Sequence, residues 1–233
     1  MTGLQPATPE AVERRVRLGA RAIGRHGLAH AYGHCSQRLD AGSFLVCAPR
    51  PMGLIAPDEG GTVVPIQGAL PPGVLGEVRI HQQIYALRPE VHGVVRSMPP
   101  ATMALGTARR TPRPRHGMGS YFGAGIALWD DPQLLRDDAA ARALAETLGE
   151  RRALVMRGNG AVVVGDSLEA AVVLTWYLED AARLELAVLG AGLAEASVVF
   201  DAAACARRAT TDGRIFERMW DYLVAGDPEL SGP

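Results

Sequence analysis

Cysteine, long apolar segments and targeting signals are scarce in this sequence of 233 residues. The chain has three cysteines (Cys35, Cys47, Cys205), an odd number at spacings that argue against a disulfide framework. No uninterrupted apolar run approaches the roughly 18 residues expected of a membrane-spanning helix. The first ten residues, MTGLQPATPE, lack the charged and apolar regions of a signal peptide. We therefore expect a reduced, cytoplasmic protein with no membrane partner.

An excess of charge of either sign is also missing. The 24 basic residues are balanced by 25 acidic ones, which leaves a formal net charge of −1. Because no arginine-rich face emerges from the pattern, the sequence argues against a nucleic-acid partner. The length and a hydrophobic content of 48% are sufficient to bury a core. We expect one domain over residues 1–233.

The stretch at residues 70–100 contains a predicted helix that carries an acid at its start. No glycine or proline interrupts residues 77–88, and apolar residues recur there at helical spacing (Ile80, Ile84, Leu87). Glu77 lies three residues before the first of these, so its carboxylate opens the buried stripe of the helix. Arg88-Pro89 ends the helix, because the residue before a proline is disfavoured in the helical conformation.

A predicted strand with an arginine near its end follows at residues 92–98. Alternation places Val94 and Arg96 on one face of this strand and Val95 on the other. An acid on a buried helix stripe beside an arginine on a buried strand has two interpretations: a structural ion pair, or a functional site. In the second case Glu77 and Arg96 should face one cavity with room for a small substrate.

This stretch also carries a family resemblance. The pattern E-x-x-x-H-x-x-I-Y-x-x-R-P-E-V-x-x-V-V at residues 77–95 resembles the class II aldolase/adducin family. Further segments resemble that family in its own order, at residues 33–36, 120–123, 153–165 and 167–182. The resemblance implies an α/β fold: a three-layer αβα domain with a central mixed or antiparallel sheet. It also implies a homotetramer with the active site between subunits.

The family's metal ligands are not matched. In catalytic members, two histidines of H-x-H-P and one of R-(N/G)-H-G hold a divalent metal, and Arg96, Met98 and Asn159 stand at those positions here. Zinc needs thiolate, imidazole or carboxylate ligands, whereas a guanidinium has only donors. We expect no metal and no other cofactor. The phosphate-binding serines before the acid are replaced by Leu75 and Gly76, so a sugar phosphate is not the expected substrate.

The resemblance implies roles for eight residues. The expected catalytic residues are Glu77 as acid and base, Arg96 as the cation in place of the metal, and His81. The expected substrate-binding residues are His34, Ser36, Arg50, Tyr121 and Asn159.

Several of these residues have a purely structural alternative. His34 follows a glycine in a turn and can be a loop histidine that bonds to backbone. Arg50 can meet a carboxylate through two hydrogen bonds, or lie on the surface in solvent. Asn159-Gly160 is a strong turn signal in its own right.

Two functions remain open from the sequence. The first is a metal-independent lyase that acts on a small hydroxylated or aromatic carboxylic acid, by decarboxylation or retro-aldol cleavage. Such reactions leave electrons on carbon or on an enolate oxygen, which a fixed positive charge such as Arg96 stabilises. The alternative is a non-catalytic protein, as the adducin head domain is, used for assembly or for binding a small ligand.

Overall fold

The computed structural model describes residues 9–230. The sequence predicts that Thr8 caps the first helix, but Thr8 lies outside the described residues. Within them, no helix is both long and apolar enough to cross a membrane.

The centre of the fold is a seven-stranded sheet in the order β3-β2-β1-β4-β7-β6-β5. The strands are β1 (His34–Arg38), β2 (Ser43–Val46), β3 (Thr62–Pro65), β4 (Gly93–Ser97), β5 (Ala127–Trp129), β6 (Ala153–Met156) and β7 (Gly160–Gly165). Neighbouring strands run antiparallel, except that β5 and β6 are parallel. The predicted mixed sheet is thus confirmed.

Helices cover both faces of this sheet. They are α1 (Pro9–Arg25), α2 (Arg79–Leu87), α3 (Pro100–Thr107), α4 (Asp138–Leu148), α5 (Leu168–Gly190), α6 (Ala202–Arg208) and α7 (Ile215–Val224). One apolar core lies between the sheet and α1, α5 and α7, and a second lies between the sheet and α2 and α4. The three-layer αβα arrangement predicted from the family resemblance is confirmed.

Strand β4 lies in the middle of the sheet, between β1 and β7. Both of its faces are covered, so both sets of alternating side chains are buried. Val95 belongs to the core beneath α1 and α5, while Val94 belongs to the core beneath α2 and α4. Arg96 shares the face of Val94, as the alternation predicts.

Two local features differ from the sequence-based expectation. In the sequence, Asp166 and Glu169 have the spacing of a capping box and predict that α5 opens at Asp166. The cap is instead Ser167, whose side chain accepts from the backbone N–H of Ala170. A short helix, α6, has no counterpart in the sequence prediction. It is seven residues long and rich in alanine, so it lacks the periodic apolar pattern by which helices are recognised.

Candidate active site

Arg96 is the centre of a buried polar cluster. Its side chain is 2% exposed at the end of β4. In the sheet it lies directly opposite His34 of β1 on one side and Val162 of β7 on the other. Burial lowers the pKa of the Arg96 guanidinium and the carboxylate of Glu77 opposes that shift, but an arginine in a protein remains charged. The fold therefore holds a permanent cation inside the chain.

Two groups contact the same nitrogen of Arg96. Glu77 lies in the 3₁₀ turn (Gly76–Val78) that leads into α2, with its Oε2 3.2 Å from Nη2. Asn159 accepts a hydrogen bond from Nη2 through its Oδ1, at 2.7 Å. The two side chains are thus in direct contact, which is the arrangement expected of the structural ion pair.

The predicted substrate-sized cavity between Glu77 and Arg96 needs correction. The two side chains close on each other, because an unpaired buried guanidinium is unfavourable and Glu77 offers it a carboxylate. A small cavity near them is lined by His34, Leu75 and Val78 among others, though not by Glu77 or Arg96 themselves, and has a volume of about 10 Å³. That is room for about one water molecule.

The turn that carries Asn159 depends on two glycines. Gly158 and Gly160 have φ angles of +67° and +90°, a region that side chains rarely adopt. A Cβ atom at Gly160 would also overlap the carbonyl oxygen of Ser97 at the end of β4. The β6–β7 connection is thus pressed against the strand that carries Arg96, which places Asn159 on the guanidinium.

Several buried polar atoms of this cluster have no hydrogen-bond partner within the described chain. On the donor side these are Nε and Nη1 of Arg96 and Nδ2 of Asn159. The other unpaired atoms are Oε1 of Glu77, which is an acceptor, and Nε2 of His34. Buried polar groups are nearly always paired, so a concentration of unpaired ones is a marker of a functional site.

A line of hydrogen bonds leads away from His34 into the core. Nδ1 of His34 lies 2.8 Å from Nε2 of His81, and Nδ1 of His81 lies 2.6 Å from Oγ of Ser36. Oγ of Ser36 is in turn 2.9 Å from the hydroxyl of Tyr85. The ring of Phe44 stacks on His81 from β2. His34, Ser36 and His81 therefore form one connected unit.

Both histidines are neutral at neutral pH. Burial lowers the pKa of His34 well below its usual value, and His81 and Arg96 lower it further. Burial, with Arg96 adding to it, lowers the pKa of His81 to about 3. A cation beside a desolvated imidazole disfavours the imidazolium form.

The structure changes the role expected of His81. This residue was predicted to act directly on the substrate, but it is fully buried and both of its ring nitrogens are bonded to protein groups. It is therefore placed to orient His34 and not to touch a substrate. His34, which was assigned a binding role, is the histidine with a free nitrogen.

Two other predicted site residues lie away from the cluster. Arg50 has an exposed side chain and forms an ion pair with Glu59 at 2.6 Å. Tyr121 is buried in the core on the opposite face of the sheet, where it stacks on Tyr177 and donates to the carbonyl oxygen of Thr210. Among the described residues, no hydrogen bond or ion pair joins either residue to the Arg96 cluster.

The donor set does not suit a metal ion. Arg96 occupies the centre of the cluster and cannot ligate. Between residues 9 and 230, no three His, Cys, Asp or Glu side chains are grouped so that they could hold a metal. The residues present therefore do not fit the divalent ion that the family resemblance implies.

A larger cavity in the described part of the chain lies elsewhere. It has a volume of about 690 Å³ and lies at the opposite end of β7, between the start of α5 and helix α7. Arg88, Arg152 and Arg214 line it together with five carboxylates. Because these charges have mixed signs, and because the cavity is remote from Arg96, we place the candidate site at the small cavity instead.

Comparison with known proteins agrees with this architecture. The chain is 30% identical over 205 residues to a 3,4-dihydroxyphthalate decarboxylase of Terrabacter sp. (strain DBF63), covering 81% of this chain and 86% of that protein. An aldolase II superfamily protein from Pseudomonas syringae has a similar structure, with a TM-score of 0.77, 24% identity, and coverage of 94% of this chain and 93% of the other. An L-fuculose 1-phosphate aldolase from Glaciozyma antarctica PI12 superposes with a TM-score of 0.74 at 20% identity, over 96% and 90% of the two chains.

The family profile described as Class II Aldolase and Adducin N-terminal domain matches residues 14–186. This span contains the seven strands of the sheet and every residue of the Arg96 cluster. The chain belongs to the class II aldolase and adducin family.

Proposed function

We propose that this protein is a metal-independent decarboxylase of a hydroxylated aromatic carboxylic acid. The observation that carries the proposal is the buried cation Arg96, whose Nε and Nη1 have no partner in the described chain. Glu77 compensates the charge of Arg96, but buried donors without acceptors are unfavourable. A carboxylate or phenolate oxygen of the substrate supplies an acceptor for them.

The remaining unpaired atoms complement such a substrate. Oε1 of Glu77 and Nε2 of His34 are free to accept, and ring hydroxyl groups donate to atoms of this kind. Nδ2 of Asn159 is a further donor for a substrate oxygen. The oxygens of an aromatic acid with one or two ring hydroxyls thus accept from the unpaired donors of the cluster, and its hydroxyl hydrogens are donated to the unpaired acceptors.

The chemistry needs a positive charge and not necessarily a metal. Loss of CO₂ from a hydroxylated aromatic acid proceeds through a ring that has gained negative charge on its hydroxyl oxygen. Arg96 stabilises that charge by its fixed guanidinium in a site from which water is largely excluded. The 233 residues contain no lysine, so this chain has no side-chain amine to form a Schiff base with a carbonyl substrate.

Entry of the substrate requires a local rearrangement. Glu77 lies on the outer side of Arg96, and its side chain is 17% exposed. Leu75, just before it, lines the small cavity and is 42% exposed. A movement of this segment exchanges the contact between Glu77 and Arg96 for contacts with the substrate.

The similarity to a 3,4-dihydroxyphthalate decarboxylase supports decarboxylation over retro-aldol cleavage. The closed ion pair of Glu77 and Arg96 favours a second candidate, a non-catalytic protein in which the pair is structural. Only the decarboxylase should release CO₂ from a hydroxylated aromatic acid.

The test is an assay of CO₂ release by protein that has been treated with a chelator. The substrates are 3,4-dihydroxyphthalate and a panel of mono- and dihydroxybenzoates, each labelled in the carboxyl group. Phthalate and benzoate, which lack ring hydroxyls, are the matched controls and should remain intact. Absence of turnover for every hydroxylated acid contradicts the proposal, and cleavage of L-fuculose 1-phosphate favours an aldolase.

We also propose that the chain assembles as a homotetramer, as the family resemblance implies. Light scattering coupled to size-exclusion chromatography measures the mass directly. A monomer at micromolar concentration contradicts this assembly.

A further inference from the structure

In the line of hydrogen bonds from Tyr85 to His34, the donor and the acceptor of each bond follow from the groups involved. The hydroxyl of Tyr85 lies 3.0 Å from the backbone carbonyl oxygen of Ser36. A carbonyl oxygen only accepts, so the single hydroxyl hydrogen of Tyr85 is donated to it. The Tyr85 oxygen then accepts the hydrogen of the Ser36 hydroxyl, 2.9 Å away.

The same logic continues through both histidines. Since the Ser36 hydrogen is used, Oγ of Ser36 accepts from Nδ1–H of His81 at 2.6 Å. A neutral imidazole has one N–H, so Nε2 of His81 is an acceptor, and it receives Nδ1–H of His34 at 2.8 Å. In this arrangement every contact has one hydrogen. In the reverse assignment Ser36 donates to His81. The single hydrogen of Tyr85 then serves only one of its two contacts with Ser36, to Oγ or to the carbonyl oxygen, and the other pair of oxygens has no hydrogen between them.

The end of the line is therefore the Nε2 lone pair of His34, which is buried and unpartnered. His34 lines the small cavity and lies opposite Arg96 in the sheet. We propose that His34 is the general base of the decarboxylase and that Tyr85, Ser36 and His81 are positioning residues that hold it in the Nδ1–H form. This inference rests on the proposed function and assigns the proton transfer within the same site.

The proton balance of the reaction follows from this assignment. Nε2 of His34 removes the proton from a ring hydroxyl, which leaves a phenolate that Arg96 stabilises. The imidazolium then gives that proton to the ring carbon that bears the carboxylate. The bond to the carboxylate breaks, its electron pair returns to the ring, and CO₂ leaves. The phenolate product takes one proton from water, so one proton is consumed for each CO₂.

Binding of the substrate makes the imidazolium form of His34 less unfavourable. In the free protein burial, and to a smaller extent His81 and Arg96, lower the pKa of His34 and disfavour its imidazolium form. An anionic substrate between Arg96 and His34 offsets the effect of Arg96. His34 is then able to hold the proton briefly during the transfer to carbon.

The tautomer is measured directly by ¹⁵N NMR of the histidine rings in the intact protein. His34 is expected to be neutral at neutral pH, with its hydrogen on Nδ1. A hydrogen on Nε2, or an imidazolium, overturns the inference whatever the activity. This readout does not depend on knowing the substrate.

A variant tests whether the positioning residues set this state. Tyr85→Phe removes the hydroxyl, so Ser36 becomes free to donate to His81 and reverse the line. The Nδ1–H signature of His34 should weaken, and kcat should fall at least about tenfold with KM within about twofold, whereas His34→Gln should lose about 10²–10⁴ in kcat. Tyr177→Phe is the matched control, because Tyr177 is a buried tyrosine in the core on the other face of the sheet.

The outcomes separate this inference from the proposed function. If wild-type protein decarboxylates no hydroxylated acid, the proposed function fails, while the NMR result still decides the tautomer. If wild-type protein is active and Tyr85→Phe retains both the Nδ1–H signature and full kcat, the inference fails. Should Tyr85→Phe not fold, Ser36→Ala removes the same link and is measured in the same two ways.

Discussion

His34 and Arg96 lie directly opposite each other in the antiparallel pair of β1 and β4, on the face of the sheet covered by α2 and α4. Residues paired in this way have Cβ atoms about 4.5–5.5 Å apart. The unpartnered Nε2 of His34 is thereby held near a permanent cation in the interior of the chain.

Removing the charge of Glu77 should destabilise the protein. Glu77→Gln leaves Arg96, which is 2% exposed, without its ion-pair partner. We expect the free energy of unfolding to fall by about 1–3 kcal/mol, because a buried charge loses its compensation. Urea unfolding measures this change. Glu146→Gln is the control: it breaks an exposed pair with Arg142, which should contribute less than about 1 kcal/mol. Equal effects of the two variants contradict the importance of the buried pair.

Acid should destabilise the fold through His81. Its pKa is about 3 in the folded chain against an ordinary value of 6.5, so between these values the unfolded chain binds the extra proton. Stability is therefore fully present above about pH 6.5 and is lost as pH falls towards 3. Each such group contributes a slope of up to about 1.4 kcal/mol per pH unit.

His81→Gln should remove one group's share of that slope. The measurement is the free energy of unfolding between pH 6.5 and 4. Gln82→Ala is the control, since Gln82 is buried on the same helix and donates to the carbonyl oxygens of Pro65 and Gly68 but does not titrate. It should lower stability at every pH without changing the slope. An unchanged slope in His81→Gln shows that the histidine is not held neutral.

A side chain at Gly160 should disturb the site by displacing the β6–β7 turn that carries Asn159. Gly160→Ala forces a Cβ against the carbonyl oxygen of Ser97 at a φ of +90°. We expect a loss of about 1–3 kcal/mol in stability together with reduced turnover, because Asn159 moves away from Arg96. Gly190→Ala is the control, since its Cβ meets no atom within 4 Å at the end of α5. If Gly160→Ala is as stable and active as Gly190→Ala, the turn does not position Asn159.

The sequence predicted those parts of the site that depend on one element or on neighbouring elements. Helical spacing predicted Glu77 at the start of the helix, and the structure has it in the 3₁₀ turn that leads into α2. Alternation placed Arg96 on the buried face of β4. The contact between His34 and His81 joins residues 47 positions apart on different elements, and no periodic signal reports such a pair. Which histidine keeps a free nitrogen depends on hydrogen bonds to Ser36 that only the folded chain defines.

Two residues with predicted binding roles, Tyr121 and Arg50, lie outside the cluster for a reason that is likewise not visible in the sequence. The motif around Tyr121 is local, but its burial depends on Tyr177 of the distant helix α5. Arg50 turns outward because Glu59, nine residues later, pairs with it. Tertiary partners therefore decided both cases, and neither partner is visible in the motif itself.

The central claim is that Arg96 supplies the positive charge that a metal would otherwise supply. The most direct measurement is the rate of CO₂ release from a hydroxylated aromatic acid by chelator-treated wild-type protein and by Arg96→Met. Methionine keeps much of the apolar stem but removes the cation and all five donors. The account predicts full activity of the metal-free wild type and a loss of roughly 10²–10³ in rate for a folded Arg96→Met. Wild-type activity that disappears with the chelator, or an Arg96→Met variant with an undiminished rate, would contradict it.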